Sequence, residues 1–203
     1  ILYNGVEEES AGIKMYDSYM ENCKVHHNVS AKSSYAGIYA YSSSIKNSYI
    51  FDNTALFYAG GIYAFNSTID NCFVYNNSVT NEMFAYVGGI YATGNTIITS
   101  SSIYNNVSEV NSGGLYLDNS IIRNSSVYGN SAKNFGGGIS SNNTGIIEAC
   151  SIENNSALRG GGVHSIKRLV NSVVANNSAE MGAAVYNFSE ILYATIANNA
   201  SQT

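Results

Sequence analysis

Residues 60–78 read Gly-Gly-Ile-Tyr-Ala-Phe-Asn-Ser-Thr-Ile-Asp-Asn-Cys-Phe-Val-Tyr-Asn-Asn-Ser, and variants of this pattern recur along the whole chain. The second asparagine of the final pair, Asn77, belongs to a series that repeats every 22 to 29 residues. This asparagine ladder consists of Asn4, Asn28, Asn53, Asn77, Asn106, Asn130, Asn155, Asn177 and Asn199. A repeat of this length without helical heptads is typical of a β-solenoid, in which each repeat forms one coil.

Three other positions keep a fixed distance from the ladder asparagine. Counting back from Asn77, Val74 marks an aliphatic position, Cys72 a small one and Ile69 an apolar one. We interpret each coil as three short strands, in which alternation points Ile62 inward and Tyr63 outward. We expect the ladder asparagine to take the left-handed backbone of a bend and to hydrogen-bond along the stack.

The composition excludes several classes of protein. Charged residues make up 11% of the chain, the net charge is −5 and there is no proline. We therefore predict neither a nucleic-acid partner, which calls for a basic surface, nor membrane insertion, which calls for a long apolar run. The aromatic content of 12% and the ordinary hydrophobicity argue against disorder.

The repeats resemble a known family of surface proteins. Residues 60–64 (Gly-Gly-Ile-Tyr-Ala) with 74–78 (Val-Tyr-Asn-Asn-Ser), and residues 136–139 (Gly-Gly-Gly-Ile) with 152–157 (Ile-Glu-Asn-Asn-Ser-Ala), are similar to the paired repeats of chlamydial polymorphic membrane proteins. Three residues before the asparagine the chlamydial repeat usually has phenylalanine, where this chain has Val or Ile. The resemblance implies a right-handed parallel β-helix at the cell surface that acts in adhesion.

We therefore predict an all-β, right-handed parallel β-helix of about eight coils, forming a single domain over residues 1–203. We expect a non-enzymatic, extracellular or cell-surface rod, built by coils stacked about 4.8 Å apart. Both ends of the sequence fall in the middle of a coil, and two interpretations stay open. The chain is a segment of a longer surface adhesin, or it is a subunit that stacks head to tail into an extracellular filament.

The outward positions carry a row of aromatic residues. The row comprises Tyr39, Tyr63, Tyr91, Tyr116 and Tyr186, and Ser140 and His164 interrupt it. These tyrosines are candidates for contact with a glycan, with a host or neighbour-cell protein, or with another protomer. The alternative is that cross-strand aromatic pairs simply stabilise the sheet.

We predict no catalytic residues, no cofactor and no metal site. Enzymes of this fold that cleave polysaccharides need carboxylates on neighbouring coils, whereas the isolated acids fall at different positions of the repeat, at Asp17, Asp52, Asp70 and Asp118. A polysaccharide-binding or polysaccharide-cleaving β-helix enzyme is the alternative function.

Two further residue types fit the repeat. Ten Asn-X-Ser/Thr sequons occur, of which Asn66, Asn142 and Asn187 follow the first strand of a coil and are candidates for N-glycosylation. Cys23, Cys72 and Cys150 share one position of the coil, two or more coils apart. That separation, roughly 10 Å or more, is too long for a disulfide.

Overall fold

A computed structural model describes residues 12–30, 34–84 and 86–201, and all regular structure in these ranges is β-strand. Within them, no helix is long and apolar enough to cross a membrane.

Thirty strands form eight coils. The first six coils hold four strands each: β1 Ile13–Tyr16, β2 Tyr19–Glu21, β3 Lys24–His26 and β4 Val29–Ser30; β5 Ile38–Tyr41, β6 Ser44–Lys46, β7 Tyr49–Phe51 and β8 Thr54–Ala55; β9 Ile62–Phe65, β10 Thr68–Asp70, β11 Phe73–Tyr75 and β12 Ser78–Val79; β13 Ile90–Thr93, β14 Ile97–Thr99, β15 Ser102–Tyr104 and β16 Val107–Ser108; β17 Leu115–Leu117, β18 Ile121–Arg123, β19 Ser126–Tyr128 and β20 Ser131–Ala132; β21 Ile139–Ser141, β22 Ile146–Glu148, β23 Ser151–Glu153 and β24 Ser156–Arg159. The last two coils hold three each: β25 Val163–Val170, β26 Val173–Ala175 and β27 Ser178–Met181; β28 Val185–Leu192, β29 Thr195–Ala197 and β30 Ala200–Ser201.

Each strand pairs in parallel with its equivalent one coil away, which makes the chain the predicted parallel β-solenoid. The coil has four faces rather than the predicted three, because a short strand such as β8 follows the ladder asparagine. Strands β25 and β28 each continue around one corner, so they join the first two faces into one fourteen-stranded sheet. The other two faces form sheets of eight strands.

The core consists of columns of like residues, one per coil. Ile62 pairs in register with Ile38 and Ile90, and all three are fully buried. Ala64 is buried and Tyr63 is half-buried, as the alternation predicted. The predicted inward stacks eight and three residues before the ladder asparagine, represented by Ile69 and Val74, are buried too. Removing this apolar surface from water is the main stabilising contribution in the fold.

Residues with a left-handed backbone conformation form the bends, one position earlier than predicted. The positive-φ residue lies one position before the ladder asparagine, as in Asn76 (φ 54°) and Asn105 (φ 53°). The ladder asparagines from Asn28 to Asn199 have no positive φ, and their side chains turn inward, where Asn77 and Asn106 are fully buried. A residue that turns left-handed thus sends the next side chain into the interior.

The ladder asparagines form a continuous chain of side-chain hydrogen bonds. Each Nδ2 donates to the Oδ1 of the asparagine one coil later, at 2.9–3.0 Å through the seven steps from Asn28 to Asn199. Each Oδ1 also accepts the backbone N–H of the preceding ladder asparagine, as Asn106 does from Asn77 at 2.9 Å. The predicted bonding along the stack is thereby confirmed from Asn28 onward, and Asn4 lies outside the described residues.

Two further hydroxyl ladders repeat this arrangement at the other bends. Five residues before the asparagine, the Ser101 hydroxyl accepts the backbone N–H of Cys72 at 3.0 Å and donates to Thr99 O at 2.7 Å. Ten residues before it, Ser67 Oγ accepts the backbone N–H of Ser43 at 3.0 Å. The second of these ladders was absent from the sequence-based prediction. It shows that the bends recur every five residues.

The glycine pair that opens most coils lies where the chain returns closest to its neighbour. A Cβ on Gly61 would stand 2.6 Å from the carbonyl oxygen of Gly89, one coil away. A Cβ on Gly60 would meet the backbone of Ser78 at 2.6–2.7 Å. No side chain fits there, so these glycines allow the narrow corner between the fourth and first faces.

Candidate functional site

The predicted tyrosine row is in register on the outer side of the first face. Tyr39, Tyr63, Tyr91 and Tyr116 pair in sequence across successive strands. The column then continues through Ser140, His164 and Tyr186. The five predicted tyrosines therefore share one column, but two other residues separate the last from the first four.

Neighbouring rings of this row stack on one another. Ring centroids are 5.1 Å apart for Tyr39 and Tyr63, 5.2 Å for Tyr63 and Tyr91, and 5.0 Å for Tyr91 and Tyr116. Stacked rings cover much of each other's faces, and the four rings are half-buried. Within the row, therefore, little aromatic face is open to a ligand.

Burial also fixes the ionisation of the row. It raises the pKa of Tyr63, Tyr91 and Tyr116 above the ordinary value, and the negative charges of neighbouring phenolates and of Asp118 add to the effect. At neutral pH these residues are uncharged phenols that donate and accept hydrogen bonds.

A second set of rings, absent from the sequence-based prediction, flanks the row. Tyr58 and Tyr86, in the loops before β9 and β13, stack at 4.9 Å. Tyr35 lies 4.7 Å from Tyr63, centroid to centroid, and Tyr86 lies 6.1 Å from Tyr91. The loops keep register because Ala59 bridges in parallel to Val87. The result is an aromatic surface two columns wide.

The third face carries another aromatic row, formed by residues two before the ladder asparagine. Phe51, Tyr75, Tyr104 and Tyr128 stack at 4.8–4.9 Å with ring planes within 6° of parallel. His26 continues this row at 4.5 Å from Phe51. Like the tyrosine row, these rings are engaged mainly with one another.

A cleft opens where the two columns of this aromatic surface each lose a ring, on neighbouring coils. The tyrosine column is interrupted by Ser140 and the flanking column by Asn111, which bridges to Phe135. The cleft has a volume of about 190 Å³. It is lined by Tyr86, Asn111, Tyr116, Phe135, Ser140, Ser141 and His164. We call it the Ser140 cleft.

The floor of the Ser140 cleft is polar and uncharged. Ser140 is only 3% exposed, and its hydroxyl is hydrogen-bonded to that of Ser112. The buried Oδ1 of Asn111 has no hydrogen-bond partner among the described residues. Burial, with a smaller contribution from Arg159, lowers the pKa of His164, so its imidazole is neutral at physiological pH.

The upper wall is held by stacking. The His164 ring stacks on Tyr186 at 5.5 Å, with planes 6° apart, and lies 4.7 Å from Phe135. The Arg159 guanidinium lies over the Phe135 ring at 5.6 Å. The lower wall is the upper end of the tyrosine row, Tyr116. The aromatic walls are therefore positioned by contacts outside the cleft.

A larger groove of about 350 Å³ lies at the corner between the first and second faces. Equivalent residues of successive coils line it, including Asn95, Asn119 and Thr144, with Lys167 at one end. It repeats the bend of the solenoid and has no aromatic wall, so we regard the Ser140 cleft as the better candidate site.

The isolated acids each have local partners. Asp70 Oδ1 accepts the Thr99 hydroxyl at 2.7 Å, and Asp118 accepts Thr93 and Asn142 at 3.1 Å. Asp52 Oδ2 lies 3.8 Å from His27 Nε2. Among the described residues no three His, Cys, Asp or Glu side chains are grouped so as to hold a metal ion.

The three cysteines are unpaired, in keeping with their separation. Burial raises the pKa of the Cys72 and Cys150 thiols to about 11. Their sulfurs point to the same carbonyls as the serine hydroxyls of the ladder, as in Cys72 to Asp70 O at 3.3 Å. These two thiols are therefore neutral, buried substitutes for serine.

The candidate glycosylation sites Asn66, Asn142 and Asn187 are exposed at the first corner of their coils. Their Nδ2 atoms donate to Ser42 at 3.4 Å, Asp118 at 3.1 Å and Ser165 at 3.2 Å. Modification of these asparagines stays a prediction.

Comparison with known proteins adds no relative. No protein-family model, no curated protein and no solved structure matches the chain. The chain is therefore assigned by its own geometry to the parallel β-solenoids, and its function is argued from the surface described above.

Proposed function

We propose that this protein is a non-enzymatic extracellular rod that acts in adhesion or in a filament. The observation that carries the proposal is the asparagine ladder, which continues without a break through seven coil-to-coil steps from Asn28 to Asn199. Eight coils about 4.8 Å apart make a body nearly 40 Å long. Hydrogen bonds and stacked side chains in every coil oppose bending and stretching along its length.

The last described coil supports contact with another coil. Ile196 belongs to the inward aliphatic stack, where Val174 is fully buried, yet it is 49% exposed. Apolar core residues left in water favour association. We propose that this edge is covered either by further coils of a longer surface rod or by a second copy stacked head to tail.

The adhesive role rests on two features. The repeats are similar to those of chlamydial adhesins, and the aromatic surface ends in an uncharged cleft lined by Tyr116, Phe135 and His164. The cleft also favours the second candidate, polysaccharide binding. Hydrolysis would need two carboxyl groups close together, and Asp52, Asp70 and Asp118 lie at three different positions around the coil. The extracellular location is part of the same proposal.

Electron microscopy and sedimentation of the purified chain test the rod. We expect elongated single particles at low concentration and longer rods at high concentration if copies stack. Ile196→Lys should prevent the growth, whereas Thr195→Lys, at the exposed neighbouring position, should not. Particles that are not elongated would overturn the rod. Elongated particles that never lengthen would overturn the filament and leave the segment of a longer rod.

A further inference from the structure

The tyrosine column lacks one ring at Ser140, and it does not end there. Tyr116 lies below Ser140 in register, and His164 lies above it. Two coil steps separate these rings by roughly 10 Å. A six-membered ring placed between them would stand about 5 Å from each, the centroid distance between Tyr91 and Tyr116.

The faces of Tyr116 and His164 differ from those inside the row. Each ring inside the row is flanked on both sides by a neighbour at 5.0–5.2 Å. Tyr116 is covered from below, and His164 is covered from above by Tyr186. Tyr116 and His164 both line the Ser140 cleft, where Phe135 lies 4.7 Å from the His164 ring, so a ligand there contacts aromatic rings of neighbouring coils.

The polar floor of the cleft favours a ring whose edge can donate hydrogen bonds. An unpaired buried acceptor such as Asn111 Oδ1 is destabilising unless a water or a ligand donates to it. The paired Ser112 and Ser140 hydroxyls keep further capacity to accept hydrogen bonds. A benzene ring would offer these groups no donor from its edge. A sugar ring carries hydroxyls around its edge and C–H groups on its faces.

The charge and the size of the cleft restrict the class of ligand further. Among the residues that the structure describes, no Asp, Glu, Lys or Arg side chain lines the cleft, so the lining offers no ionic partner for a charged sugar. Its volume of about 190 Å³ lies below the range of about 300–1,000 Å³ that drug-sized ligands occupy. The space therefore suits one ring and not a chain of rings.

We propose that the Ser140 cleft binds a single neutral pyranose ring of a glycan, packed between Tyr116 and His164 and hydrogen-bonded to Asn111. This inference rests on the adhesive part of the proposed function and gives it a location and a ligand class. It does not depend on whether the rod is a filament subunit.

The test is saturation-transfer NMR of the full chain with the methyl glycosides of glucose, galactose, mannose and N-acetylglucosamine. Ser140→Tyr supplies the missing ring and should abolish binding. The control, Ser151→Tyr, adds a tyrosine at an outward position of the third face and should bind as the original chain does. Unchanged melting of Ser140→Tyr shows that the fold persists.

If Ser140→Tyr misfolds, two other variants test whether the cleft binds the sugar. Asn111→Leu should weaken binding at least fivefold, and Tyr116→Ala at least tenfold, whereas Tyr104→Ala in the third-face row should leave it unchanged. The proposal is wrong if none of the four glycosides binds, if the variants bind equally, or if p-cresol binds while the glycosides do not. Rods seen intact by microscopy in any of these cases would leave the mechanical function standing.

Discussion

A ladder asparagine makes four hydrogen bonds with one side chain. Asn106 Oδ1 accepts the backbone N–H and the Nδ2 of Asn77, at 2.9 and 3.0 Å. Its Nδ2 donates to Asn130 Oδ1 and to Val74 O, both at 3.0 Å. A bend breaks the regular backbone pairing of a sheet, and this side chain supplies the partners that the buried backbone groups would otherwise lack.

Replacing Asn106 by alanine should therefore cost stability through its neighbours. The substitution leaves the Asn77 backbone N–H buried without its partner and removes the side-chain hydrogen bond to the Val74 carbonyl. At about 1–3 kcal/mol for the unpaired N–H and about 0.5–1.5 kcal/mol for the lost bond, the free energy of unfolding should fall by about 1.5–4.5 kcal/mol. Denaturant unfolding measures the loss.

The control is Asn142→Ala, which removes two exposed hydrogen bonds, one donated to Asp118 and one accepted from Thr144, and should change stability by no more than about 0.5 kcal/mol. Equal stabilities of the two variants would contradict the view that the ladder stabilises the stack.

The sequence predicted which asparagine repeats, but not which residue bends. In pairs such as Asn76-Asn77 both residues tolerate a left-handed backbone, so the pair alone does not distinguish them. Gly129, directly before Asn130, has a φ of 65° and is the signal that could have placed the bend one residue earlier.

At the scale of the element, the geometry of the aromatic rows bears on one alternative left open by the sequence. Rings that stack at 4.8–5.2 Å along the rod pair across strands, so most of each row stabilises the sheets. Surface for a ligand remains where a column is interrupted. Ser140, which the sequence analysis treated as a mere break in the row, lies at that place.

The tyrosine row should make the protein sensitive to alkali. Burial raises the pKa of Tyr63, Tyr91 and Tyr116 above the value of about 10 that holds in the unfolded chain. The protonated phenols therefore stabilise the fold fully below about pH 10, and this stabilisation is lost as the pH rises through the folded-state values. The melting temperature should fall steeply from about pH 10 upward.

A variant with phenylalanine at Tyr63, Tyr91 and Tyr116 separates this effect from the titration of lysines. It should lose melting temperature more gradually over the same pH range. Thermal melting followed by circular dichroism provides the comparison. A decline as steep as that of the original chain would show that the row contributes nothing to the alkaline response.

The flanking rings were missed for a physical reason. Tyr58 and Tyr86 lie in loops whose lengths vary, and the segment from Asn77 to Ile90 is the longest between a ladder asparagine and the next coil. Periodicity in the sequence gives no register for such loops. In the structure the backbone supplies it, since Tyr86 N–H donates to Phe57 O at 2.9 Å and Val87 N–H to Tyr58 O at 2.9 Å.

At the scale of the whole molecule, each coil touches only the coils before and after it. Stability then depends on the coupling between neighbours, and one damaged coil divides the stack. The repeat made this architecture, and the columns of the core, predictable from the sequence. The number of faces was not predictable, because strands of two residues such as β8 have too few positions to show alternation.

Adjacent isoleucines in a central coil provide a matched test. Ile122 is fully buried, and Ile121 is half-buried on the outer side of the same strand. Ile122→Asp places an unpaired charge in the core, which costs several kcal/mol, and should divide or abolish the single melting transition. Ile121→Asp should lower the melting temperature by only a few degrees. Similar melting of both variants in calorimetry would contradict the inward and outward assignment.

The asparagine ladder also gives the rod a sense of direction. Every amide along it donates toward the later coil, so its dipoles point the same way and polarise one another. Each interior ladder asparagine, such as Asn106, therefore accepts from the coil before it and donates to the coil after it. Two stacks joined in opposite directions would bring amide donor against amide donor. The head-to-tail contact proposed above would keep a single direction from one copy to the next.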